Sequence, residues 1–254
     1  MQIRDLNSQF FRGVMLVAEK DMRIYYVKAP VLIFGFLFPL FMFLSFYLGR
    51  EIDFQIFFPE LLAMFFFFTA SSVGPLITPW EKQAGTYERL LSFPVNINTV
   101  ILGDTAAGMI FGIVINLIIL IVGLVFLNYN LNISGILLLI ISILLGAFCF
   151  SSLGVLLASP SSSSPSQIMI LSGLVRFPLI FISGIFIPLE NLQGIGRTAV
   201  YFSPITYLVD IFNLSFRGES HIPLIIDFTM LAVFSIIFIS LSNRFHKRSL
   251  IKGL

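Results

Sequence analysis

A single cysteine, Cys149, leaves this 254-residue chain unable to close a disulfide within itself, so cysteine usage is silent on its compartment. Charge is also scarce: 11% of residues are Asp, Glu, Lys or Arg, against roughly 25% in an ordinary soluble domain. Between Asp104 and Arg176 there is no charged side chain at all. The two histidines, His221 and His246, have no second ligand or catalytic partner near them in sequence, which removes the usual basis for a metal centre or a general base. No GxxxxGK[ST] phosphate loop occurs, so the chain does not hydrolyse ATP by that route. The net charge of +2 comes from basic clusters at the two ends and is no sign of nucleic-acid binding.

What remains is hydrocarbon. With 57% hydrophobic residues and a mean hydropathy of +1.00, the chain reads as an all-α integral membrane protein. Crossing about 30 Å of hydrocarbon takes roughly 20 apolar residues in a helix. Six runs qualify, at approximately 31–48, 57–79, 99–127, 135–158, 167–187 and 223–243. The first 30 residues are amphipathic and charged, and no small-x-small site follows the first run, so that run is expected to stay in the protein. Arg4, Arg12, Lys20, Arg23 and Lys28 precede the first run; Arg244, Lys247, Arg248 and Lys252 follow the last. Loops rich in Lys and Arg stay cytoplasmic, which puts both termini inside. The loops at 80–98 and 159–166 are then cytoplasmic, whereas 49–56, 128–134 and 188–222 are external and carry only Arg50, Arg197 and Arg217.

Residues 1–30 are read as an interfacial element ahead of a six-helix domain at 31–254. Phe11, Met15, Ala18, Met22 and Tyr25 draw an apolar stripe along one helical face, with Arg12, Glu19 and Arg23 off it. Ala29-Pro30 ends that helix. A polar island then separates the second and third runs. Its pattern predicts a helix over 80–92 between Pro79 and Pro94, with Trp80, Ala84, Tyr87 and Leu91 on one face and Glu81, Gly85, Glu88 and Ser92 on the other. The second face would turn its carboxylates to the cytoplasm. Gly85 within it calls for a kink or a close backbone approach.

The string Glu81-Lys-Gln-Ala-Gly85-Thr86-Tyr87-Glu88-Arg89-Leu90-Leu91, followed by Phe93-Pro94-Val95, resembles the E-R-x-x-G-T-x-E-R-L-L-x-x-P-V element of type-2 ATP-binding-cassette permeases. Ser203-Pro204-Ile205-Thr206-Tyr207-Leu208-Val209-Asp210 is similar to that family's P-x-T-Y-x-x-D stretch, and Ser183-Gly184-Ile185-Phe186-Ile187-Pro188 to its S-G-x-x-x-P. Lys82-Gln83 departs from the family pattern, which often has another Arg or Glu there. The resemblance implies a transport subunit that is not itself an enzyme, paired with a second permease copy in a homodimer or related heterodimer and seated on two cytoplasmic ATPase subunits. Those subunits would bind ATP and Mg; no cofactor is expected in this chain. It makes the island a coupling helix, with Glu81, Gly85, Thr86, Tyr87, Glu88 and Arg89 as its contact residues. It also makes 188–217 a re-entrant external segment, and Pro204, Tyr207 and Asp210 candidates for the pathway or gate.

Arg176 lies nine residues after Gln167, about 13 Å along a helix from it. It either lines the path, pairs with an acid such as Asp104, or snorkels to the cytoplasmic surface. Pro178 offers a kink beside it. Phe65-Phe-Phe-Phe68 is read as lipid-facing bulk in preference to an aromatic slide for substrate, and Ser159–Ser166 as a flexible turn. An ion-coupled carrier would place ionisable groups deep in several spans, and a membrane-embedded enzyme would need a paired base and nucleophile or a metal cluster. Only Arg176 answers the first requirement and nothing answers the second. Hydrophobic drugs, lipids and lipid-linked glycans remain open as cargo.

Overall fold

The long apolar runs form helices because a bilayer offers backbone amides no partners, so each must bond within its own segment. The computed structural model of the chain describes residues 3–26, 28–48, 53–87, 89, 96–129, 131–159, 164–187, 189 and 192–251, and no strand occurs among them. The helices are α1 (Ile3–Ile24), α2 (Ala29–Leu32), α3 (Phe38–Tyr47), α4 (Phe54–Ser71), α5 (Gly74–Gln83), α6 (Ile97–Leu127), α7 (Ile133–Ala158), α8 (Pro165–Phe181), α9 (Ile195–Ala199), α10 (Pro204–Arg217) and α11 (Leu224–Ile251). The segments Phe54–Gln83, Ile97–Leu127, Ile133–Ala158 and Leu224–Arg248 are each long and apolar enough to cross a membrane. Two bent pairs, Gln9–Ile24 with Ala29–Ser45 at 92° and Ile195–Phe202 with Pro204–Arg217 at 91°, bring the number to six if each is one span. The chain is thus an all-α, multi-pass membrane protein.

Proline sets the breaks. Between α2 and α3 the chain widens into a π-helical stretch, Ile33–Leu37, just before Pro39, whose ring would clash with the carbonyl four residues back. Pro75 likewise cannot donate to Ser71, which explains why α4 and α5 are interrupted at Ser72 and Val73 although they run on as one span. Asn96 and Asn132 cap α6 and α7, their side chains accepting from the amides of Asn98 at 3.1 Å and Gly135 at 2.7 Å.

The centre of the bundle is α4, wrapped by α6, α7 and α10. Phe65, Phe66, Phe67 and Phe68 are all buried inside the protein. Phe66 and Phe67 meet the Phe150 ring edge-on, with centroids 6.0 and 5.2 Å away. The reading of these phenylalanines as lipid-facing bulk is therefore corrected: they are core. The reason is their position on the central helix, where every face meets protein. Lipid contact falls instead to α6, whose Ile118, Ile121, Val125 and Phe126 are exposed.

The two ends of the bundle are fastened differently. At one end, which we term distal, the Gln55 side chain donates to the Leu127 carbonyl at 2.7 Å. Arg217 there donates to the Ile56 carbonyl at 3.1 Å and lies 3.7 Å from Glu60. At the other, proximal end, α1 turns across the bundle and packs along the start of α6. Gly103 permits the contact: a Cβ there would come within 2.5 Å of Val17 and 3.1 Å of the Val14 carbonyl.

Candidate functional site

The proximal end gathers the polar island, α1, the start of α6 and the end of α11. Val17, Ala18, Asp21 and Tyr25 form the buried face of α1, while Phe11 and Met15 of the expected apolar stripe stay exposed. Lys20 is the hinge of the arrangement. Its ammonium lies 3.1 Å from Asp21 and bonds Glu81 of α5 directly. Asp104 of α6 faces Asp21, so three carboxyls surround one ammonium. Burial opposes the charge on Lys20, but the three acids outweigh it and hold the ammonium above its ordinary range.

One turn further, Tyr25 stacks on Trp80 with centroids 5.6 Å apart and planes 14° from parallel. The Lys28 ammonium sits 4.4 Å from the Trp80 ring and 4.9 Å from that of Tyr25. The turn after α5 is then tied to the far end of the sequence. Tyr87 and His246, both buried, place hydroxyl and Nδ1 3.2 Å apart.

The island itself differs from the expected single helix. Pro79 lies inside α5 and does not begin a new helix, and α5 stops at Gln83. Gly85 then takes φ +64°, a left-handed conformation that favours glycine and breaks the 3.6-residue periodicity. Nothing lies within 4 Å of the position its Cβ would occupy, so turn geometry, and not close packing, calls for this glycine. Glu81, expected on an exposed acidic face, is buried against Lys20. The cause is α1, whose Lys20 reaches the acid from outside the island. Thr86 donates to the Glu81 carbonyl at 3.2 Å, closing the turn. Gly85, Thr86 and Arg89 are exposed; Glu88, Leu91 and Ser92 lie outside the described residues.

The other candidates separate from this site. Pro204 begins α10 after the Ser203 cap, and the Ser203 hydroxyl also donates to the Leu179 carbonyl at 2.8 Å. Tyr207 donates to the Tyr201 carbonyl at 2.8 Å. Asp210 accepts from the His221 amide at 2.9 Å, the Ser220 hydroxyl at 2.8 Å and the Ile222 amide at 3.2 Å. All three thus spend polar groups or backbone constraint on the bend before α10 and the turn before α11. Arg176 is buried and donates to Ser172, with a 2.7 Å bond from Nε. Among the described residues it forms no ion pair with a carboxylate. Pairing with Asp104, one of the three readings of Arg176, is not found, because Asp104 belongs to the Lys20 cluster.

Sequence reasoning missed Lys20, Asp21, Asp104 and His246 as members of one assembly. The available signal was the Lys20-Asp21 pair, a charged step on the inner side of an amphipathic helix. Nothing local marked His246.

The curated relatives that the chain matches include inner membrane transport permeases named YadH, from Escherichia coli K12, Escherichia coli O157:H7 and Shigella flexneri. Each is 26% identical over 151 residues, 59% of this chain. The aligned region spans 58% of the length of each relative. Residues 13–217 match the family described as ABC-2 type transporter, a stretch that takes in α1 from Gly13 onward, the Lys20 cluster, the polar island and all of α10. The chain belongs to the ABC-2 type transporter family.

Proposed function

We propose that the chain is the membrane-spanning permease subunit of an ATP-driven exporter, working as a dimer on separate cassette ATPases that bind the ATP and Mg. The relatives named as inner membrane transport permeases support this reading. It places the protein in the cell membrane with both termini cytoplasmic, the bent 195–217 segment re-entrant from outside, and the proximal end facing the ATPase. Drugs, lipids and lipid-linked glycans are the cargo classes suited to so apolar a bundle.

One observation carries the mechanism. The exposed turn at Gly85–Thr86 is joined to α1 by the part-buried contact of Lys20 with Glu81 and to α11 by the buried contact of Tyr87 with His246. A push on this turn therefore moves two membrane-anchored helices besides α5. Such a linkage is what converting closure of a soluble motor into helix tilt requires. The exposed turn supplies the contact surface, while buried Glu81 transmits and does not touch the partner.

The test uses Thr86→Cys on a Cys149→Ser background, co-produced with a cassette ATPase that copurifies with the chain. A short bifunctional thiol reagent should link Thr86→Cys to the ATPase, and Ser134→Cys at the distal end should not link. Absence of a Thr86→Cys crosslink in a complex that copurifies and hydrolyses ATP would overturn the assignment of this turn.

A further inference from the structure

A cavity of about 530 Å³ opens between α3, the α4–α5 junction and α8, within the size range of sites that hold small organic ligands. Its wall is built from Phe38, Phe68 and Phe177, whose ring centroids lie 5.3 Å (Phe38 to Phe68), 5.3 Å (Phe38 to Phe177) and 6.4 Å (Phe68 to Phe177) apart. Leu174 continues this apolar surface. Against it stands one cation, Arg176, which lines the same cavity.

The cation is incompletely satisfied. A guanidinium carries five N–H donors and cannot shed its charge in a protein. Ser172 takes the Nε donor at 2.7 Å and one donor from a terminal nitrogen, and no other acceptor meets Arg176 among the described residues. The α8 helix is apolar and only 17 residues long, so this charge sits in a segment where an unpaired ion is costly. A buried cation without a carboxylate, facing a cavity that is otherwise aromatic, fits an anion arriving from outside the protein.

We propose that this cavity binds an organic anion with an apolar body, its headgroup held by Arg176 and its body by the Phe38, Phe68 and Phe177 wall. Planar guanidinium geometry suits a carboxylate or phosphate headgroup, which it meets through two parallel bonds. The ring wall suits an acyl chain or aromatic body. The inference deepens the exporter reading by naming a cargo class, and it rests on that reading for transport alone. Binding to the chain without its ATPase stands or falls by itself.

The experiment measures binding of a fluorescent long-chain fatty acid, and of its neutral methyl ester, to the full chain in phosphatidylcholine nanodiscs. The acid should bind at least about tenfold more tightly than the ester, as expected for a hydrogen bond to a charged group. Arg176→Gln should erase that preference while leaving ester binding in place, which also reports an intact cavity. Arg176→Lys should retain part of the preference. Phe177→Ala should weaken both probes together. Equal binding of acid and ester, or an unchanged preference in Arg176→Gln, would overturn the proposal. So would exclusion of both probes from the dimer with binding only to the monomer, since the second copy would then be what fills the cavity. Phosphatidylglycerol added to the nanodiscs separates the sources: competition identifies a lipid anion from the bilayer, and its absence an anion from the aqueous phase, either one occupying the site.

Discussion

The hydroxyl of Tyr87 and Nδ1 of His246 stand 3.2 Å apart although 159 positions separate them in the chain. The pair closes the proximal end: it binds the turn after α5 to the last turns of α11, both side chains being buried. A buried neutral hydrogen bond contributes about 1 kcal/mol net. Tyr87→Phe removes the hydroxyl and keeps the ring, over which Lys82 sits at 5.6 Å. We expect the variant to fold and assemble, with a loss of about 1 kcal/mol in thermal unfolding, and to show ATP hydrolysis less tightly linked to transport. His246→Phe should have the same phenotype, and the double variant should be no worse than either single one. Additive losses in transport would show that the two residues act separately.

The Lys20 cluster predicts an asymmetry between its members. Lys20→Met leaves Asp21, Glu81 and Asp104 with no counter-ion in a buried setting, a change that typically costs about 3–5 kcal/mol. Asp104→Asn instead removes one of three crowded carboxyls and offers Asp21 a donor, so it should be neutral or stabilising. Trp80 is the sole tryptophan and stacks on Tyr25 beside this cluster. Its fluorescence during thermal unfolding reads both variants directly. A Lys20→Met protein as stable as the parent would mean the acids are satisfied by something other than this ammonium.

Most of the membrane architecture was legible because it depends on local hydropathy. The runs at 99–127 and 135–158 became α6 and α7 nearly residue for residue. Proline signals are legible as well, though Pro79 marks a helix start in the sequence where α5 passes through it. The pairing at the proximal end was not legible. Glu81 looks exposed in any helical projection of 80–92, and only the arrival of Lys20 from 61 positions away buries it. The Phe65–Phe68 run shows a different limit. Lipid and protein interior are both apolar, so periodicity cannot tell a lipid-facing aromatic from a core one. Burial resolves it by placing α4 at the centre.

Asp210 tests whether a motif residue acts as a gate or as a fastening. Its carboxylate accepts three bonds from Ser220, His221 and Ile222, so Asp210→Ala takes the acceptor from two backbone amides at the turn into α11, while the Ser220 hydroxyl keeps the Ile222 carbonyl at 2.7 Å. We expect a stability loss of about 1–3 kcal/mol, the cost of one unsatisfied buried donor, which here is the Ile222 amide. Transport per folded molecule should stay near the parent level in a reconstituted assay. Full stability with transport abolished would instead make Asp210 part of the gate.

The ends of the bundle also predict its orientation. Lys20, Lys28 and Lys82 meet at the proximal end through Glu81, Trp80 and Tyr87. The bond from Tyr87 to His246 brings the α11 terminus, with exposed Arg244, Lys247 and Arg248, to the same end. Arg217 marks the distal end, where Glu60 and Glu219 lie 3.7 and 3.4 Å from it. Basic residues held on one side resist translocation, so the proximal end should be cytoplasmic. On a Cys149→Ser background, Ser134→Cys should react with a membrane-impermeant maleimide in sealed right-side-out vesicles. Thr86→Cys and Arg248→Cys should react only after the vesicles are opened. The reverse pattern would put the Gly85–Thr86 turn outside the cell, away from any ATP-hydrolysing partner, and the coupling role argued for that turn would fail with it.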